Sequence, residues 1–413
     1  MSEPAASPAT WRSLLAVREF RYLWLTYAIS LAGDQLARVA IAVLVFRQTH
    51  SALLTGVVYA TTFLPWLLGG PLLGGIADRL PRRTVMVTCN VLSALLVALL
   101  ALPRLPIPVL CGLLFVVVLL ESPFLAARAA LIADVLPDDR YVLASALNNL
   151  TAQAAQVVGF AFGGALVAVV GPRQALLLDS ATFLLSAFLV RWTVQVRPAA
   201  TERDGSASRA RLWWRQMVAG VRLVFGDPAL RRLVGIAWLA TFVVVPEGLA
   251  APYADTLNGS AVAVGLLLAA QPLGAGVGGL LLSRLVAPAR RLELMIPLAV
   301  LCCLPLVAFV LHPPLPLAFA LLVLSGIGAS YNLPANAAFV QAVPTRQRGQ
   351  AFGLVAAGLA AGQGLSIAVA GAIADVVAPG VVIAVAGALG TIAALSLTGA
   401  DRRVVRAKTP ALG

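Results

Sequence analysis

The chain has 413 residues, 60% of them hydrophobic and only 11% charged, with a mean hydropathy of +0.93. A soluble domain carries about 25% charged residues, so a water-soluble enzyme is excluded, and at roughly 20 residues per membrane-crossing helix the apolar runs supply about twelve spans. They are long and uninterrupted, unlike the alternating segments of about ten residues that mark a membrane barrel, and the net charge of +13 has to be explained by where the arginines fall.

In chain order, the stretch 1–19 contains no short apolar core followed by a small-residue cleavage site, so the first apolar run is kept as a helix. Spans are predicted near 20–46, 52–76, 84–103, 107–128, 145–170 and 174–192, then near 231–253, 261–283, 292–311, 317–341, 351–374 and 381–399. Connectors are short except for 193–230, which holds Pro198, Gly205, Ser206 and Ser208 among many arginines. The expected organisation is a cytoplasmic N-terminus 1–19, a six-helix bundle 20–192, a cytoplasmic linker 193–230, a second six-helix bundle 231–399 and a cytoplasmic tail 400–413. In the linker, Arg211, Arg215 and Arg222 share one sector at about 100° per residue, opposite Trp213, Met217, Val221 and Val224, which predicts an amphipathic helix on the inner leaflet.

With both termini in the cytoplasm, 26 of the 30 basic residues fall on the cytoplasmic side. Such a bias fixes orientation. Spread over many short loops, the charge offers no single face to a nucleic acid, and none is expected as a partner. Cys89, Cys111, Cys302 and Cys303 lie inside apolar runs without zinc spacing, so neither metal nor cofactor is expected. A phosphate-binding G-x-x-x-x-G-K-[ST] loop is also missing, which excludes ATP as the energy source.

An ionisable residue within a span costs several kcal/mol unless it faces water or a partner, and five stand out: Asp34, Arg38, Glu121, Asp179 and Glu247. Asp179, nearer the outer end of the sixth span, reads as a structural cap or interface residue. Arg128 reads as a residue at the cytoplasmic water boundary, because 107–136 is too long for one span. Asn149, Gln153 and Gln156 share one face of the fifth span, and either line a cavity or bond a neighbouring helix.

The halves repeat. Gly74-Gly75-Ile76 before Arg79 recurs as Gly278-Gly279-Leu280 before Arg284, Ala127-Arg128-Ala129-Ala130 recurs as Ala335-Asn336-Ala337-Ala338, and Gln156 and Gly164 match Gln363 and Gly371, all at offsets of about 204 to 208. Two duplicated six-helix halves suit a transporter with its site at the repeat interface. The loop Gly74-Gly75-Ile76-Ala77-Asp78-Arg79-Leu80-Pro81-Arg82-Arg83 is similar to the signature G-x-L-x-D-R-x-G-R-R of the major facilitator superfamily, with Pro81 at the place of a glycine. Ala155, Gly159, Phe160, Gly163 and Gly164 resemble that superfamily's antiporter motif g-x-x-x-G-P-x-x-G-G, with Ala155 in place of the first glycine and Phe160 in place of proline. Small residues four apart let two helices approach closely.

This resemblance implies an all-α fold of twelve transmembrane helices in two six-helix repeats, with spans 1, 4, 7 and 10 lining a central cavity. It puts Asp34, Glu121 and Glu247 forward for proton coupling. The substrate cavity then takes Arg38, Tyr331, Asn332, Asn336, Asn149, Gln153 and Gln156. Gly74, Asp78, Arg79, Arg82 and Arg83 form a gating loop, and Gly159, Gly163 and Gly164 pack helices. The expected protein is a monomeric proton-driven secondary transporter of a bacterial inner (plasma) membrane and not an enzyme. It resembles the drug and siderophore exporters most, moving a hydrophobic or amphipathic small molecule outward by alternating access. An uptake symporter and a transport-dead receptor or scaffold are the alternatives.

Overall fold

A computed structural model describes residues 10–66, 80–136, 139–197 and 217–397. Gly74, Asp78 and Arg79 of the gating loop and Arg211, Trp213 and Arg215 of the linker lie outside the described residues. Those described are mostly helical, with short turns between the helices and no strand among them. The helices are α1 (Trp11–Ala16), α2 (Arg18–Thr49), α3 (Ala52–Thr61), α4 (Arg82–Leu100), α5 (Ile107–Val135), α6 (Asp139–Val170) and α7 (Pro172–Thr193). After them come α8 (Met217–Gly226), α9 (Pro228–Trp238), α10 (Ala261–Leu285), α11 (Met295–Val307), α12 (Leu315–Gly328), α13 (Asn332–Ala342), α14 (Arg348–Ala374) and α15 (Pro379–Ser396). Among the described residues, 10 helices are long and apolar enough to cross a membrane. The shorter apolar helices Ala52–Trp66 and Met295–Leu311 stand at the second and ninth expected spans. Helix starts follow the sequence: Ser51, Asp227 and Ser260 accept from backbone N–H groups in the first turn, and α7, α9 and α15 open on proline, whose missing N–H costs nothing there.

Two compact units result, one of residues 1–40 and 68–204, the other of 41–67 and 205–413. The boundary runs through α2, so its last turns and α3 group with the C-terminal helices.

In the first unit, Leu14, Phe20 and Leu23 pack with Met86, Phe124, Leu131 and Val190. Polar groups inside it pair across helices, since hydrocarbon offers them no other partner: Asn90 Nδ2 donates to Ser186 Oγ at 2.9 Å, and Ser180 Oγ to the Ala94 carbonyl at 2.7 Å. At the exit of α7, Arg197 donates to both Glu19 oxygens at 2.6 and 2.8 Å, and Gln195 N to Oε1 at 3.1 Å. The Glu19 carboxylate thereby raises the guanidinium's pKa above its usual value.

In the second unit, α3 lies on α14, and its N-terminus is closed by Asp375, which accepts from Ser51 Oγ at 2.9 Å, Ala52 N at 2.6 Å and Leu53 N at 3.1 Å. A carboxylate at a helix N-terminus satisfies orphan donors and the helix dipole together. Helices α10 and α12 approach so closely that a Cβ on Gly274 would lie 2.0 Å from the Val323 carbonyl oxygen, and one on Gly326 2.2 Å from that of Gln271. The seventh span is broken beyond α9 into Ala240–Val243, Val245–Gly248 and Ala250–Thr256, with Pro246 in the middle piece. In the linker, α8 buries Val224 among Leu230, Phe339, Val343 and Leu354, while Val221 is 40% exposed. Its apolar stripe therefore rests partly on protein.

Candidate functional site

In the first unit, α2 brings Asp34 and Arg38 to one face, one turn apart. Glu121 from α5 and Asp179 from α7 converge there, and both interact electrostatically with Asp34, as does Arg38. Arg38 also interacts with Glu121. Asp179 is 1% exposed, and Thr182 Oγ1 donates to its Oδ1 at 3.2 Å. It occupies the space left by the missing side chain of Gly33, where a Cβ would lie 2.2 Å from Asp179 Oδ1. The helix N-cap is Gly171, so Asp179 caps nothing and serves instead at the contact between α7 and α2. Three carboxylates thus interact with one another while one guanidinium serves two of them, Asp34 and Glu121, and protons can relieve the imbalance in a medium where lone charges are costly.

Next to this cluster on α2 stands Tyr27, whose ring carries the Arg128 guanidinium at 3.6 Å from its centroid. Arg128 Nη2 donates to Asn148 Oδ1 at 2.7 Å. Arg128 is only 5% exposed, so the sequence expectation of a water-boundary residue is corrected: α2, α5 and α6 enclose it. Farther along the α2–α6 contact, Trp24 Nε1 donates to Thr151 Oγ1 at 2.8 Å.

The contact continues through the glycines of α6. A Cβ on Gly159 would lie 2.8 Å from Gln35 Cβ, and one on Gly163 3.2 Å from Leu36 Cα, while Gly164 is buried beside them and Phe160 is 3% exposed. A cleft of about 850 Å³ opens along this seam, lined by Ile29, Gly33, Leu36, Gly159, Gly163 and Thr182 among others. Of the α6 amides, Asn149 and Gln153 are exposed and Gln156 is half-buried.

The remaining candidates divide between the units. Arg82 donates to the Ala130 carbonyl at 3.1 Å and pairs with Asp134, and Arg83 donates to the Arg191 carbonyl, so the two arginines tie the start of α4 to the ends of α5 and α7. Sequence reading missed Asp134; its signal was an acid near the end of a helix leading out of an apolar span. In the second unit, Tyr59 donates its hydroxyl to Glu247 Oε2 at 3.1 Å and packs with Val244 and Ile367. Tyr331 lies in the core with Cys302 and Cys303. Asn332 and Asn336 are exposed, and Asn332 Nδ2 donates to the Ala329 carbonyl at 3.1 Å, closing the 3-10 turn that interrupts this span.

The sequence profile of the Major Facilitator Superfamily matches residues 23–249 and again 234–412. The chain is 28% identical over 279 residues to the enterobactin exporter EntS of Shigella boydii serotype 4 (strain Sb227), an alignment covering 66% of this chain and 64% of the exporter. The chain thus spans somewhat less than two thirds of that relative's length. It is 27% identical over 296 residues to the uncharacterized MFS-type transporter y4rN of Sinorhizobium fredii (strain NBRC 101917 / NGR234), covering 69% of this chain and 71% of the relative. Among solved structures, a bacterial homolog of the human lysosomal transporter Spinster superimposes with a TM-score of 0.69 at 18% identity, over 98% of this chain and 100% of that one. A peptide transporter POT in complex with alafosfalin gives a TM-score of 0.72 at 12% identity, over 95% of each chain. With its profile matched twice along an all-helical multi-pass chain, the protein belongs to the Major Facilitator Superfamily.

Proposed function

We propose that the protein exports a hydrophobic or amphipathic small molecule across a bacterial inner (plasma) membrane by proton antiport with alternating access. The observation that carries the coupling is the group of Asp34, Glu121 and Asp179, of which Asp179 is buried and the other two half-buried, with Arg38 beside Asp34 and Glu121. Carboxylates in that number inside a span are retained where protons pass. Similarity to the enterobactin exporter supports the outward direction. The test uses everted vesicles energised to an acidic interior, with a panel of amphipathic fluorescent dyes as probes. A transported dye accumulates inside while the pH gradient falls. Accumulation in right-side-out vesicles under an acidic exterior makes the protein an uptake symporter, and no gradient-linked flux in either leaves a receptor or scaffold.

The same reading puts both termini and the 193–230 linker in the cytoplasm, since 26 of 30 basic residues gather on that side. Single cysteines placed in the linker or the tail, in a background without the native four, resist a membrane-impermeant thiol reagent in whole cells. Ready labelling of either reverses the orientation.

A further inference from the structure

Two arginines are held inside the first unit, and they differ in company. Arg38 shares electrostatic interactions with Asp34 and Glu121. Arg128 is 5% exposed, and among the described residues no carboxylate lies within ion-pair distance of it. Its direct contacts are neutral, the Tyr27 ring at 3.6 Å and Asn148 Oδ1 at 2.7 Å, and Asp34 and Glu121 reach it only through their interaction with Tyr27. Its Nε is buried without a hydrogen-bond partner. A guanidinium has five N–H donors in a rigid fork. Burying one without an anion is strongly unfavourable, and a ring face together with one amide oxygen compensates only part of that cost.

We propose that Arg128, seated on Tyr27 and steered by Asn148, is an oxyanion-binding site for the transported molecule, so that the substrate class is an amphipathic carboxylate or similar singly charged oxygen acid. The proposal rests on the transport reading above and narrows it. The ring fixes the plane of the guanidinium and the Asn148 bond to Nη2 fixes its rotation, while the buried Nε keeps an unused donor for an incoming anion. A carboxylate oxygen accepts a charge-assisted hydrogen bond of this kind, stronger than a neutral acceptor does. The charge also suits export: an anion leaving and a proton entering both carry positive charge inward, the direction in which an inside-negative membrane potential drives it.

The test is thermal unfolding of the purified full chain in phosphatidylcholine nanodiscs. The probes are benzoate and salicylate, each paired with its neutral amide. Wild-type protein gains several degrees with the carboxylates and nothing with benzamide or salicylamide, since only a ligand that binds the folded state stabilises it. Arg128→Met unfolds at a higher temperature than wild type without ligand, because an uncompensated charge has been removed, and it loses the carboxylate response. Arg128→Lys folds, keeps the charge and loses the fork, so its response to the carboxylates is reduced. A structural arginine gives the opposite pattern, with Arg128→Met unfolding earlier or failing to fold, and that result overturns the proposal. It is also overturned by equal shifts from acids and amides, by no carboxylate shift in wild type, or by stabilisation that depends on Arg128 with phosphatidylglycerol alone, which makes the ligand a lipid headgroup. None of these readings requires flux, so the site can fail while proton-coupled export stands, and the reverse.

Discussion

Asp34→Asn reduces accumulation driven by a pH gradient to the level of protein-free vesicles, while substrate exchange at equal pH on both sides continues. Asp34 is the acid on α2 that interacts with Glu121, Asp179 and Arg38 at once, so its charge state sets the balance of the whole group. An amide keeps the size of the side chain and fixes it in the neutral form, which removes the proton-dependent step and leaves the cavity. Exchange needs no net protonation and therefore survives. Glu247 is the control. Its Oε2 accepts from the Tyr59 hydroxyl at 3.1 Å, and a glutamine still offers an oxygen to that hydroxyl, so Glu247→Gln is expected to fold and to retain gradient-driven accumulation. If Glu247→Gln is the variant that stops while Asp34→Asn continues, coupling belongs to Glu247, and the pair of Asp34 with Arg38 is a structural bridge.

How far the site was legible depended on what each residue costs in hydrocarbon. Asp34, Arg38 and Glu121 announced themselves because a charge inside an apolar run has no other excuse, and the structure brings all three together. The spans were legible for the same reason, apart from the breaks: the 3-10 turn at Ala329–Tyr331 and the pieces around Pro246 arise from packing and proline placement that hydropathy averages away. Asp179 reads from the sequence as a structural cap or interface residue, because its height along one helix says nothing about which neighbour faces it. What puts it in the cluster is an atom that the sequence lacks, the Cβ of Gly33. Arg128 reads from span length as a water-boundary residue, because a 29-residue helix is too long for one span, whereas Tyr27 and Asn148 enclose its side chain within protein.

Gly33→Ala tests that missing atom. The added methyl would sit 2.2 Å from Asp179 Oδ1 and 2.5 Å from Thr182 Oγ1, with the carboxyl carbon at 3.3 Å. Both obstructing side chains are short, and α7 holds them on consecutive turns, so relief requires either rotating the carboxylate away or moving α2 from α7. Alanine is the better helix former by about 1 kcal/mol, and overpacking costs about 1–3 kcal/mol, so the fold is weakened by little or by a couple of kcal/mol. The functional loss is larger. Whichever side yields, Asp179 leaves its seat against Asp34, and gradient-driven transport is expected to fall to the level of Asp34→Asn while the unfolding temperature drops only a few degrees. Asp179→Asn separates the causes, since it keeps the shape and removes the charge: with transport lost in both variants, Asp179 is a member of the proton group. Normal transport by Asp179→Asn beside a dead Gly33→Ala makes the glycine a spacer between α2 and α7 and confines proton handling to Asp34 and Glu121.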